Sequence, residues 1–356
     1  MLHSVIMAGG VGVRFWPLSR RRQPKQLLDL LGEGTLIEQT VARIEPIIPK
    51  GQRWIVTNRE QMAMFREAAP EARDQRFILE PMGRNTAPAI GLAAIHLLSE
   101  DPDAVMIVLP ADHRIENIEE FRRCLMTAVD LVSNSDILAT IGIEPTRPET
   151  GYGYIQVDRS SKLPAENAFR VKTFAEKPNM ELARRFFESG EFVWNSGIFI
   201  WRADVIMQQL AEHLPQWYSG LQEIAGALGT PQEDEVTKQI FGSLKGISID
   251  YGVMERAPRV VVVRSTFRWS DVGSWDEVWR LIEQDADGNS CRGNTEMVDS
   301  RNNLVLARDK LVALVGVKDL IVVDAGDAIL ICPRDESQQV RAMVEQLAKT
   351  GREEYL

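Results

Sequence analysis

Gly9-Gly10-Val11-Gly12-Val13-Arg14-Phe15-Trp16-Pro17-Leu18-Ser19-Arg20-Arg21-Arg22-Gln23-Pro24-Lys25-Gln26 is the stretch around which the chain is organised. Residues 2–7 before it form a short apolar run that reads as a buried strand. The chain therefore leaves a strand into three glycines and a basic loop. Without Cβ, glycine lets backbone N–H groups lie against an anion. Arg14 offers a bidentate fork to phosphate oxygens, and Lys25 a compact charge. A P-loop would end in Gly-Lys-Ser/Thr, and none follows Gly9. A dinucleotide fingerprint would need a third glycine where Phe15 stands. A nucleoside-triphosphate cradle remains, against the plainer reading of a glycine turn with a solvated basic face.

Composition narrows the class. With 356 residues there is room for a large α/β domain and a smaller one. The formal net charge of −10 argues against a nucleic-acid partner, and makes Arg14, Arg20, Arg21, Arg22 and Lys25 stand out. Cys124, Cys291 and Cys332 are scattered without ligand or disulfide spacing, which suits a reducing compartment. The four histidines form no metal motif. No apolar run reaches the ~18 residues of a membrane span, and the N-terminus lacks a basic n-region. The expectation is a soluble cytoplasmic protein with no nucleic-acid or membrane partner.

Helix and strand patterns alternate from the start. Residues 54–57, 77–79, 104–109 and 137–143 read as strands; 35–44, 60–69, 87–98 and 116–132 read as helices. This predicts a mostly parallel sheet with helices on both faces, with ligands beyond the carboxyl ends of the strands. Polar motifs fall at those ends. Glu80-Pro81-Met82-Gly83-Arg84-Asn85-Thr86 leads into a helix that Asn85 or Thr86 could simply cap. Asp112 follows an apolar strand, as a cap or a metal ligand. Gly151-Tyr152-Gly153 suits close approach to a sugar ring, or a hairpin turn. Glu176-Lys177 reads by itself as a surface charge pair. Asn195-Ser196 interrupts an apolar strand, as sugar ligands or as a satisfied bulge. Asp271 could cap a helix reaching residue 284. His113 reads as structural. Beyond residue 291, β runs at 304–307, 311–317, 320–323 and 328–331, then a helix at 336–348, suggest a small β-helix-like unit. Its apolar content and lack of polar clusters suggest an assembly module.

Gly-Gly-x-Gly-x-Arg-x-x-Pro-Leu continued to Pro24-Lys25-Gln26 resembles the signature of the sugar-1-phosphate nucleotidylyltransferases. The longer form, with residues 15–20, resembles the mannose-1-phosphate guanylyltransferase branch. The resemblance extends over residues 1–285 and implies a Rossmann-like, glycosyltransferase-A-like catalytic domain there, with 286–356 as the C-terminal β unit. It implies nucleotide contacts at Gly9, Gly10, Gly12, Arg14, Lys25, Glu80, Pro81, Asn85, Thr86 and Asp112. The sugar phosphate is expected at Gly153, Glu176, Lys177, Asn195 and Ser196. Asp112 and Asp271 would hold Mg2+, and Arg14, Lys25, Asp112 and Asp271 would be catalytic. The segment 248–255 resembles one near the sugar pocket, with no roles assignable. The implied reaction joins GTP and mannose 1-phosphate into GDP-mannose and pyrophosphate, in a homodimer. Alternatives are an ADP- or dTDP-glucose type of nucleotidylyltransferase, or a non-catalytic nucleotide-sugar sensor. The family often carries a further isomerase domain; ending at Leu356, this chain is expected to have no such activity.

Overall fold

In the computed structural model, which describes residues 1–161, 163–165 and 167–356, a nine-stranded sheet runs through the first 265 residues. Its order is Arg76–Leu79, Arg53–Thr57, Leu2–Met7, Val105–Pro110, Phe192–Arg202, Leu138–Ile143, Val260–Ser265, Ala168–Ala175 and Tyr154–Asp158. The first four are mutually parallel, as the alternating pattern requires. Beyond them the sheet is mixed, because Phe192–Arg202 runs antiparallel to both of its main neighbours. Strand alternation splits the core into two layers. Val5, Trp54, Val56 and Val108 face one; Ile6, Ile55 and Leu109 face the other. Both faces are buried, hence the continuous apolar runs.

Helix ends follow local chemistry. Thr35 and Glu38 form a reciprocal capping box at Leu36–Ile44. Asn58 caps Arg59–Ala68, and Asn179 caps Met180–Ser189, which Gly190 closes at φ 65°. The helix expected to run to residue 284 spans only Trp275–Leu281, and Ser274, not Asp271, accepts from its N-terminal amide. That leaves the Asp271 carboxylate for another task.

Phe192–Arg202 is bent. Its register against Leu138–Ile143 shifts between Thr140 and Gly142, where Gly197 adopts φ 70°. Its first half pairs with Tyr154–Asp158 and its second with Val105–Pro110.

After residue 289 the chain coils. Ser290–Arg292, Leu304–Leu306 and Leu320–Asp324 stack in parallel, with Ile329–Pro333 closing antiparallel. Thr295–Val298 pairs with Val312–Val315 on another face. Asparagines hold the corners: Asn289 Oδ1 accepts from Asn303 N, and Asn303 Oδ1 from Leu320 N. The expected terminal helix divides into a 3-10 segment, Arg334–Gln339, and an α-helix, Val340–Lys349. Among the described residues no helix is long and apolar enough to cross a membrane, and Cys124, Cys291 and Cys332 are unpaired.

Candidate active site

The glycine turn leaves Leu2–Met7 and wraps back on Lys25. Gly12 sits at φ 73°, and a Cβ on it would lie 2.3 Å from Lys25 Cβ, so both conformation and contact demand glycine. Lys25 N donates to Val11 O at 3.0 Å, tying the loop's two ends. The buried Lys25 ammonium donates to Asp112 Oδ2 at 2.6 Å and to Asp271 O at 2.8 Å. Residues 87 and 246 positions away from Lys25 thus meet at one cation. Burial is the largest single influence and raises the Asp112 carboxyl, but the charge and hydrogen bond of Lys25, with smaller neighbouring contributions, together hold the group below its ordinary value.

Asp271 is set by a second contact. Its Oδ1 accepts from Tyr152 Oη at 2.9 Å. The Tyr152 ring packs edge-on against Trp194 and Trp269. Burial, then the Asp271 charge, pushes the phenol pKa up, so it stays a donor. Tyr152, read from sequence as a possible sugar platform, instead supports the carboxylate. Val272 follows at φ 45°, an unusual conformation for a β-branched residue. His113 Nδ1 accepts from Trp269 Nε1 at 3.1 Å, and burial lowers its pKa to about 4, so it is neutral.

A cavity of about 570 Å³ opens beside this cluster, lined by Gly9, Gly10, Glu80, Asn85, Thr86 and Asp250 among others. Glu80 is buried, its Oε2 has no hydrogen-bond partner, and burial pushes its pKa up to about 7. Asn85, at φ 69°, caps Thr86–Glu100 by accepting from Thr86 N. Thr86 Oγ1 accepts from Ile249 N at 2.8 Å, tying the loop to the 248–255 segment. Pro81 lines a neighbouring cleft of about 640 Å³ between the edge of the sheet and residues 233–238, with Glu80 as the shared wall.

The third group lies next to Asp250. Asn195 Nδ2 donates to Asp250 Oδ1 at 2.9 Å, and Asn195 Oδ1 accepts from Thr140 Oγ1 and Gly197 N. Lys177 Nζ pairs with Glu176 Oε1. A Cβ on Gly153 would fall 2.4 Å from Glu176 Oε2 and 3.2 Å from Asn195 Cβ. Burial, reinforced by Glu176, raises the Asp250 carboxyl to about 6. Ser196 does not join this group. Its Oγ donates to Ile141 O at 2.7 Å and accepts from Ile198 N, so its hydroxyl pins the bulge of Phe192–Arg202.

Two of these polar groups therefore adjoin the glycine turn, and the third reaches the same cavity through Asp250. Residues 3–288 match the nucleotidyl transferase family model. The chain belongs to that family. Residues 293–347 match a second family, described as a MannoseP isomerase/GMP-like beta-helix domain. A putative mannose-1-phosphate guanylyltransferase of Vibrio cholerae is 38% identical over 359 residues, covering 100% of this chain and 76% of that protein. The mannose-1-phosphate guanylyltransferase of Escherichia coli K12 is 39% identical, covering 99% and 75%. A crystal structure described as mannose-1-phosphate geranyltransferase from Thermus thermophilus superposes with a TM-score of 0.87. It shares 36% identity and covers 98% of this chain and 99% of that one. As a nucleotidyltransferase, the chain has the fold and enzyme class that its glycine turn suggested.

Sequence reasoning missed two contributors. Tyr152 was visible between glycines, but nothing local ties it to a residue 119 positions away. Asp250 lies in a one-turn π segment, Asp250–Met254, too short for a periodic signal. The segment's resemblance alone pointed toward the sugar pocket.

Proposed function

We propose that this nucleotidyltransferase transfers GMP from GTP to mannose 1-phosphate, releasing pyrophosphate. The observation that carries the reading is the meeting of the Asp112 carboxylate and the Asp271 backbone carbonyl at Lys25, beside a glycine turn and the Glu80 cavity. Guanylyltransferase relatives aligned over the full chain support it. We assign residues 1–285 as the catalytic unit and 286–356 as the C-terminal unit.

The acceptor needs little activation. A phosphate monoester's second pKa is about 6, so mannose 1-phosphate is a dianion near neutrality and attacks without a general base. The demand is to bring two polyanions together in line. Arg14 and Lys25 bind the triphosphate and stabilise the departing pyrophosphate. The backbone at Gly9, Gly10 and Gly12 lies along the phosphates. Lys177 neutralises the sugar phosphate, while Glu176, Asn195 and the backbone of Gly153 hold sugar hydroxyls. Asp112 and Asp271 offer an all-oxygen donor set, which suits Mg2+, an ion usually held by one or two carboxylates plus phosphate oxygens. Among the described residues no larger ligand group exists, consistent with that sparse mode. When bound there, the ion supplies positive charge against the phosphate oxygens.

Glu80 accounts for base choice, with Asn85 and Thr86 on the ribose side and Pro81 backing the loop. Guanine presents adjacent N–H donors, which an ionised carboxylate accepts and an amide matches only in part. Since the free group has a pKa of about 7, KM for GTP should fall as pH rises from 6 to 8. Glu80→Gln should flatten that profile and weaken GTP on the order of tenfold or more. A profile unchanged by the substitution would remove Glu80 from base recognition. Stability moves the opposite way. Between pH 4.5 and about 7 the folded state keeps a proton that the unfolded chain has lost, so stability declines as pH rises. The gap corresponds to about 3 kcal/mol at most. Glu80→Gln should remove this slope in denaturant titrations.

Gly153→Ala would push Glu176 from its position. We expect KM for mannose 1-phosphate to rise on the order of tenfold with KM for GTP unchanged. An unchanged sugar KM would move the acceptor elsewhere.

The deciding assay is pyrophosphate release with GTP, mannose 1-phosphate and Mg2+. A panel of four triphosphates against mannose and glucose 1-phosphates would expose ADP- or dTDP-glucose chemistry. No release with any pair would favour a sensor. We further propose a cytoplasmic homodimer, supported by unpaired cysteines and by Val298, Leu311, Val315 and Ile331 exposed on the C-terminal unit. A strict monomer by light scattering at micromolar concentration would remove the dimer.

A further inference from the structure

The second half of the glycine-rich loop does not rest on the sheet it leaves. Phe15 and Trp16 are buried in a cluster completed by Leu330, Val340 and Leu347 of the C-terminal unit. Trp16 Nε1 donates to Tyr355 O at 2.8 Å. Arg20 makes a two-pronged pair with Asp327, both contacts 2.6 Å. Arg14 Nη1 donates to Gln338 Oε1 at 3.5 Å. These partners lie 307 to 339 positions along the chain from the residues they hold.

The contacts sort the loop's cations into different tasks. Asp327 cancels the charge of Arg20 with bidentate geometry, which removes that guanidinium from phosphate duty and makes it a staple. Arg14 is treated differently. Its hydrogen-bond partner is a neutral amide, which orients the guanidinium without neutralising it. A long side chain restrained before its ligand arrives loses less entropy on binding. Gln338 is fixed in turn by the 3-10 segment Arg334–Gln339, which joins the closing strand to the terminal helix.

We propose that the C-terminal unit forms the rear wall of the triphosphate cradle, with Gln338 and Asp327 as positioning residues acting through Arg14 and Arg20. Resting on the assignment of Arg14 to the triphosphate, this gives the β unit a part in the reaction of its own subunit, separate from any role in assembly.

GTP binding, measured by calorimetry on the full chain without sugar phosphate, tests the idea. Gln338→Ala should weaken GTP about fivefold, the value of one modest hydrogen bond, with an unchanged melting temperature. Gln338→Glu should weaken it at least as much, because a carboxylate competes with phosphate for Arg14. In an Arg14→Ala background Gln338→Ala should have no further effect. Asp327→Asn should weaken GTP by a similar factor and lower the melting temperature. Wild-type affinity in both Gln338 variants, or an equal loss with and without Arg14, would overturn the proposal. Wild-type turnover of GTP with mannose 1-phosphate, assayed in parallel, separates the two readings. Normal turnover with unaltered affinities in the variants overturns this inference alone; a wild type without turnover or GTP binding overturns the functional reading and this inference with it.

Discussion

Lys25→Ala should lower turnover at least a hundredfold and leave a folded protein. Losing one preorganised charge contact to a developing anion commonly costs about 3–4 kcal/mol of transition-state stabilisation. Lys25 is buried and held by two hydrogen bonds, so no neighbouring cation can swing into its place. Arg20 is committed to Asp327, and Arg14 is hydrogen-bonded to Gln338. The substitution leaves Asp112 without its ammonium, but 27% of that side chain remains open, so water can solvate it. Lys25→Arg should recover little, because the stem is pressed against Gly12 and a guanidinium needs more room. The check is kcat for pyrophosphate release beside a circular-dichroism melt. Turnover within a few fold of wild type in a folded Lys25→Ala protein would remove the residue from the chemistry.

Asp271→Asn should cost a comparable factor, at least a hundredfold, and is more informative than Asp271→Ala. An asparagine can still accept from Tyr152 Oη, and the Asp271 carbonyl that holds Lys25 is untouched. Only the charge disappears. Alanine would also strand a buried phenol, with a stability penalty of about 1–3 kcal/mol. If the carboxylate serves Mg2+, Asp271→Asn should keep its melting temperature while losing turnover and Mn2+-dependent activity alike. A folded, active Asp271→Asn protein would sink the metal assignment. Combining it with Lys25→Ala should cost less than the two losses added, because both act on one cluster.

Much of this was legible because uniform apolar runs in a both-faces-buried sheet leave a strong local signal. The strands ending at Met7, Leu79 and Pro110 announced themselves, and so did the polar residues just past them. Tyr154–Asp158 was hidden because it follows a glycine-flanked aromatic and is short, alternating Gln156 and Asp158 with apolar residues. Thr295–Val298 was obscured for a similar reason, its side chains being half-buried or exposed. The expected mostly parallel sheet is fully parallel where strands alternate with helices and mixed beyond, where Val260–Ser265 still runs parallel to Leu138–Ile143. Phe192–Arg202 enters antiparallel, and nothing in its composition specifies direction. The hydroxyls of Tyr152 and Ser196 are engaged by Asp271 and Ile141, partners far along the chain that no local pattern announces. The contacts of Gln338 and Asp327 were likewise invisible. An exposed glutamine in a short 3-10 turn carries no periodicity, and only the fold brings it to Arg14.

In the proposed reaction, the bent strand Phe192–Arg202 would act as a ruler between donor and acceptor. Asn195 near one end holds Asp250, in the proposed sugar pocket; Phe199, farther along, pairs with Val108 on the strand that ends just before Asp112. Because a single hydrogen-bonded element carries both marks, the proposed assignment builds the separation of the two phosphates at the start of reaction into the sheet. Evolution of a new sugar preference could thus redraw the pocket walls around Glu176 and Asp250 without disturbing the line of attack.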